Sequence, residues 1–311
     1  MFAAAEAHEH LALDPRRPID VFAAIRGAGL ELIFRPLRAV SGLYLPAAPG
    51  LSAGVLISSH HPLARQRLTA AHEFGHHWLG HEASVDPLTE PDTAAAALAP
   101  TEMVAEAFAA WFMMPPELAD SALAEMGLER PRSPVEVYEL ALRMGTSYQA
   151  TLAQLPNLHL VSGGEARRWA GLPVKAIKEE LSRGVPMRSY RNDIHLLGSV
   201  EAPRRVGPGD RLLVQAGSTG VPSPLPPGAE LRADWRDPSI AGVGIGRVER
   251  ILVIDLDERT EGTFELRVAA EGGGDARFVL EIAGPEFGRE RDPAEADVHR
   301  SSAEQLQESA L

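Results

Sequence analysis

Apolar residues recur at helical spacing over residues 18–27, where Ile19, Phe22 and Ile25 share one side and Pro18 suits the opening turn. Three short runs follow with the look of strands, residues 30–36, 42–46 and 54–58, parted by turns containing Gly and Pro. Residues 63–79 then run as an unbroken helix between Pro62 and a C-terminal Gly80. A second strong helix covers residues 102–113 and stops at Pro115 and Pro116. Residues 135–143 and 147–155 read as two short helices about a tight turn at Gly145.

Beyond Asn157 the texture changes. Residues 173–183 keep a helical pattern. From about residue 185 the apolar positions alternate or cluster in β-branched runs, at 211–215, 248–255, 263–269 and 277–282. The expected fold class is therefore α+β: a helical unit with a small mixed sheet, then a β-sandwich-like or barrel-like C-terminal unit. The expected division is 1–157, with a helix-turn-helix-like segment at 133–155; a helical linker, 158–184; a β-rich domain, 185–284; and a disordered acidic tail, 285–311. Residues 1–17 are expected to be frayed, and residues 81–100 to form an Ala-rich, partly helical connection.

Composition narrows the choice of chemistry. The chain has 311 residues and no cysteine, so disulfides, thiolate metal sites and a cysteine nucleophile are excluded. A formal net charge of −13 argues against nucleic acid as the main direct partner. Arg167, Arg168, Lys175 and Lys178 lie close together and read as a solvated helix face. No apolar run is long enough for a membrane span, and no secretory signal is expected at the N-terminus; both are compatible with a cytoplasmic location without establishing it.

The most specific chemistry lies in His72-Glu73-Phe74-Gly75-His76. Two histidines four apart put both imidazoles on one helix face, where they can share a tetrahedral ion. Glu73 lies beside them, placed to act on a water rather than to ligate: two ligands plus a general base. Ala70, Ala71, Phe74 and Trp78 supply an opposite side for burial. A peptidase zinc site needs a third protein ligand and an open position. His81 is out of register for a third histidine ligand, because Leu79 and Glu82 stand where a glycine and a histidine would be required.

Glu102 is the better candidate. It opens a helix whose Val104, Ala107, Phe108, Trp111 and Phe112 read as the core stripe, with Glu106 one turn further on. Buried carboxylates on so apolar a helix need a cation or donors. On the residues alone Glu102 is equally a first-turn acid favoured by the helix dipole. Glu106 could accept a hydrogen bond from a ligand imidazole and set its tautomer.

The stretch from Arg67 to His76, preceded by the strand Val55-Leu56-Ile57, resembles the metallopeptidase core of the ImmA/IrrE family. The segment Glu102-Met103-Val104-Ala105-Glu106-Ala107-Phe108 resembles that family's second signature, and residues 133–155 resemble its following helical segment. The resemblance covers roughly residues 20–160. It implies a zincin-like fold, Zn2+ held by His72, His76 and Glu102, and Glu73 as the catalytic base. It further implies a protein substrate, commonly a helix-turn-helix repressor cut during a stress, phage or mobile-element response. Glu106 departs from the asparagine common in the family. Tyr138, Tyr148 and His81 are the candidate oxyanion donors. The β-rich region faintly resembles a chagasin-like sandwich, with Ser218-Thr219-Gly220 near its substrate-facing loop.

Two other classes compete with the peptidase reading. A regulatory protein could use residues 135–155 as a DNA-binding helix pair. A toxin–antitoxin component could use the metal structurally, which would require four protein ligands. Oligomeric state is not legible in the sequence.

Overall fold

The computed structural model describes residues 1–37, 40–82, 84–87, 99–198, 203–216, 224–235, 250–269 and 275–282. Ser218-Thr219-Gly220 and the tail at 285–311 lie outside the described residues, as does most of 81–100. The architecture is α+β, with helices and a small mixed sheet first and a β-rich region after them.

Helices α1 (Phe2–His10) and α2 (Val21–Gly27) lead into β1 (Glu31–Arg35), β2 (Val40–Leu45) and β3 (Gly54–Ser58). Helix α3 (Leu63–Trp78) follows, then β4 (Ser84–Pro87) and α4 (Pro100–Met113). The sheet order is β1-β3-β2-β4, parallel only between β1 and β3. Phe34, Val55, Ile57 and Tyr44 are the buried apolar positions of this sheet and join the core formed with α2, α3 and α4. Strand β4 was not expected, since its segment reads as a connection.

The N-terminus corrects the expectation of fraying. Ala4, Ala7 and His8 of α1 are buried, and α1 packs on α4. The His8 Nε2–H donates to the Phe112 carbonyl at 2.9 Å, and the two rings stand 4.8 Å apart. That carbonyl would normally accept from residue 116, but Pro116 has no N–H, so the histidine satisfies an otherwise orphaned helix end. Two alanine methyls give a weak apolar signal, which is why the packing face was illegible.

Pro115 and Pro116 do end α4, and they also start α5 (Pro116–Glu125), a helix that the sequence reading missed. A proline in the first helical turn sacrifices no hydrogen bond. Helices α6 (Pro134–Met144) and α7 (Tyr148–Gln154) follow, capped by Ser133 and Ser147. Residues 158–184, expected as a helical linker, form α8 (Gly163–Ala170) and α9 (Val174–Ser182); Ile177 and Leu181 enter the main core. Lys178 is not part of a solvated face. It is buried, bonded to Asp193 Oδ1 at 2.7 Å and to the carbonyls of Tyr190 and Asn192.

The β-rich region holds two facing sheets. One has the order β5 (Ile194–Leu197), β7 (Arg211–Ala216), β9 (Arg250–Asp255), β8 (Glu230–Trp235). The other has the order β10 (Gly262–Ala269), β11 (Asp275–Ile282), β6 (Arg204–Val206). Leu212, Val214, Leu252 and Ile254 of the first share a core with Leu266, Phe278 and Leu280 of the second. Ile194, Leu196, Leu213, Ile251 and Val253 belong instead to the core containing the helices. The four-stranded sheet is thus covered on both faces, which is why β7 and β9 read as continuous rather than alternating apolar runs.

Charged groups fix the sheet to its surroundings. Arg211, opposite Asp255 in the ladder, donates to it from Nε at 2.6 Å and Nη2 at 3.0 Å, and reaches the carbonyls of Val185 and Pro186. Breaking such a buried pair strands a charge. Arg211→Met should cost about 3–5 kcal/mol in urea unfolding. A loss under about 1 kcal/mol, the range of an exposed pair, would show that the pair carries no such burden.

Candidate metal centre

Helix α3 buries Ala70, Ala71 and Phe74 completely. Phe74 meets Phe108 and Phe112 of α4 edge-on, with ring centroids at 5.9 and 5.4 Å. Between the helices the contacting side chains are small. A Cβ on Gly75 would stand 2.9 Å from Phe108 Cδ1 and 3.3 Å from the Ala105 carbonyl, so α3 and α4 approach as closely as they do because residue 75 has none. The buried line of α4 is Ala105, Phe108, Ala109, Phe112 and Met113; Val104 and Ala107, expected in the core stripe, are exposed. Glu102 lies three residues before Ala105 and seven before Ala109, and therefore faces α3.

This close crossing brings three donors together. His72 Nε2 and His76 Nε2 are 3.0 Å apart, and Glu102 Oε2 lies 3.1 Å from the first and 3.5 Å from the second. Among the described residues this is the group of three whose ligand atoms converge as a metal would need. Donors about 2.0–2.1 Å from a shared centre stand about 3.3 Å apart in a tetrahedron, so the spacing fits one ion with a position to spare. Two imidazoles and a carboxylate suit zinc chemically. Glu73 is fully buried next to this cluster on α3.

The helix end shapes the far side of His76. Gly80 takes a positive φ of 67°, and the His81 N–H returns to the His76 carbonyl at 2.9 Å, a Schellman-type cap. The cap folds His81 back so that its Nδ1 lies 3.0 Å from His76 Nδ1. When His76 offers its Nε2 lone pair, its Nδ1–H can donate to the His81 Nδ1 that the cap places there. Residues Leu79-Gly80-His81 carried this signal in the sequence, since glycine just past a helix end predicts such a return.

The structure does not bring the other candidates to the cluster. Glu106 is exposed and makes no hydrogen bond to either imidazole among the described residues; His81 holds the place expected for it. The Tyr138 hydroxyl donates to Asp193 Oδ1 and accepts from the Ile194 N–H, between α6 and β5. Burial, then Asp193, pushes its pKa far up. The Tyr148 hydroxyl donates to the Trp169 carbonyl at the α7–α8 contact, and burial raises its pKa to about 12. Neither tyrosine is placed as an oxyanion donor. The neighbouring histidines have other partners as well: His77 Nδ1 meets the Tyr44 hydroxyl at 3.1 Å, and His61 Nε2 meets Ser41 Oγ at 3.4 Å.

The helix pair α6–α7 is equally committed. Val135 through Ala141 are buried in succession, as are Tyr148, Thr151, Leu152 and Gln154. Helix α7 leaves Gln149 and Ala153 exposed, and neither carries the positive charge that phosphate contacts need.

Residues 26–155 match the family model of the M78 peptidases, the IrrE N-terminal-like domain. That segment, somewhat less than half of the chain, is similar to the M78 peptidase family. All three converging donors, Glu73 and His81 lie inside it. No curated protein matches the chain. The match supports a protease at the general level, a class that acts on protein and implies a metal ion. No helix among the described residues is long and apolar enough to cross a membrane.

Burial, with His72 next in weight, lowers the His76 pKa to about 4, so the ring is neutral and ready to ligate at neutral pH. His8, His61 and His77 are pushed down as well, burial leading in each. An unfolded histidine binds its proton near pH 6.5. The unfolded chain therefore takes up protons that the folded chain refuses, and stability present above about pH 6.5 is lost as the pH falls towards about 4. Urea midpoints of the metal-free protein should drop across that window; a flat profile would contradict it. His81→Ala should weaken metal binding about 10–100-fold in chelator competition, with the three donors untouched.

Proposed function

We propose that the chain is a zinc-dependent endopeptidase of the gluzincin type, with His72, His76 and Glu102 as ligands and Glu73 as the general base. The observation that carries this reading is the convergence of two α3 imidazoles and one α4 carboxylate on one point beside the buried Glu73. Zinc held there would polarise the scissile carbonyl and acidify the attacking water. Glu73 accepts the proton of that water on its carboxylate and delivers it to the leaving nitrogen. His81 keeps His76 in the ligating tautomer through the Nδ1 contact. Three protein donors among the described residues, rather than four, favour a catalytic over a structural metal.

The substrate we infer, from the family resemblance of residues 20–160, is a helix-turn-helix repressor whose cleavage in the cytoplasm releases a stress, phage or mobile-element response. The test is to incubate the zinc-loaded protein with the repressor encoded beside it. Glu73→Gln should bind zinc as tightly as the natural chain yet cleave about 10²–10⁴-fold more slowly. Undiminished cleavage by the variant would remove Glu73 from the role. Cleavage of unrelated peptides but not of the repressor would leave the chemistry and overturn the substrate.

A further inference from the structure

Glu73 and His72 are neighbours on α3 but face different surroundings. The donors turn towards α4, whereas Thr69, Glu73 and His77 follow one another at four-residue intervals along the side packed on β2. There Tyr44 meets His77, and Gly42 meets Thr69 and Glu73. A Cβ on Gly42 would stand 2.5 Å from Thr69 Cγ2, 2.7 Å from Glu73 Oε1 and 3.0 Å from Glu73 Cγ. These distances are far below van der Waals contact, so the space a side chain would take at residue 42 is already filled by the Thr69 methyl and the Glu73 carboxylate.

The strand cannot yield instead. Gly42 is paired with Ile57 of β3 on one side and Asp86 of β4 on the other, so its backbone is held from both edges. The β2–β4 register also shifts between Val40 and Gly42, a bulge of the kind that re-aims a strand next to a site. Thr69 is likewise buried. The carboxylate is the mobile end of a flexible side chain, and is the group that would move.

We propose that Gly42 is a positioning residue for Glu73: the missing side chain on β2 leaves a notch, walled by Thr69, that holds the carboxylate in its reacting position. This rests on the reading of Glu73 as the general base. The role belongs to the notch and not to glycine's flexibility, because Gly42 pairs as ordinary strand. Glu73 is thereby set from a sheet element that contributes no ligand: it shares α3 with His72 and His76, but its carboxylate is placed by β2 while α4 brings Glu102 to the imidazoles.

The test is Gly42→Ala in the full-length, zinc-loaded protein. We expect kcat to fall about 10²-fold, the cost of a displacement of roughly 1 Å. KM should stay within about 2-fold, because binding contacts are spared. Zinc affinity by chelator competition should be unchanged. Full kcat in this variant, or a loss of zinc affinity that matches the loss of kcat, would overturn the proposal. A stability cycle decides the packing claim without any turnover. Unfolding midpoints are compared for Gly42→Ala, Glu73→Ala and the double variant, all in a Thr69→Ser background that removes the Cγ2 clash. The cost of Gly42→Ala should shrink once Glu73 has become alanine, and additive costs would refute the notch. If Gly42→Ala alone does not fold, folding of the variant that also carries Glu73→Ala supports the proposal, and its failure to fold overturns it. If the natural chain cleaves nothing, the functional reading fails by itself, and the cycle still judges the notch.

Discussion

The close crossing of α3 and α4 is the constraint from which the rest of the candidate site follows. The separation of two packed helices is set by the side chains at their contact. Here Gly75 has none, and Ala105 and Ala109 present only methyls, while Phe74, Phe108 and Phe112 form an aromatic cluster beside the contact. Aromatic packing of this kind supplies the attraction, and small residues decide how near the backbones come. At that separation a glutamate in the first turn of α4 spans the distance to both imidazoles. With larger residues at the crossing, the same His and Glu residues would not converge.

Around the crossing, each polar group is set by something other than the helix that carries it. Phe112, at the end of α4, is capped by His8 from the far N-terminus, because Pro116 removes the usual donor. Arg67, just ahead of the histidines, donates to the carbonyls of Ile19 and Gly145, tying α3 to the segments before α2 and after α6. His76 is held from behind by the chain folding back at Gly80. Away from α3 and α4 in the sequence, Glu139 on α6 accepts from Arg204 and from the Leu196 N–H, and Arg143 lies 3.1 Å from it. Buried charges of this kind add little net stability compared with apolar packing, but they penalise wrong registers heavily. They join α6 to β5 and β6.

Local patterns were read well where a single element carries the signal. The four-residue spacing of His72 and His76 specifies one helix face whatever surrounds it, and the prolines and glycines bounding α3 mark its ends. The phase of α4 was not legible: with nearly every residue apolar, a stripe through Val104 and one through Ala105 look alike, and only the partner helix distinguishes them. Strands β7 and β9 were legible from their β-branched runs, but with both faces buried the sequence did not tell which face met which core. Helix α5 was missed because Pro115 and Pro116 were read as a stop alone, although a proline that ends one helix can begin the next.

By itself, the sequence determined which residues can ligate, that two of them share a helix face, and that neither thiolate chemistry nor a membrane-crossing helix is to be expected. Those are properties of residue type and spacing, which hold before the chain folds. The tertiary structure decided that Glu102 and not Glu106 reaches the histidines, that His81 backs His76, that Tyr138 and Tyr148 are spent on other contacts, and that Gly42 borders Glu73. Each of these depends on how two elements distant in sequence approach one another. That approach is set by the summed packing of many side chains, and no short stretch of sequence records it.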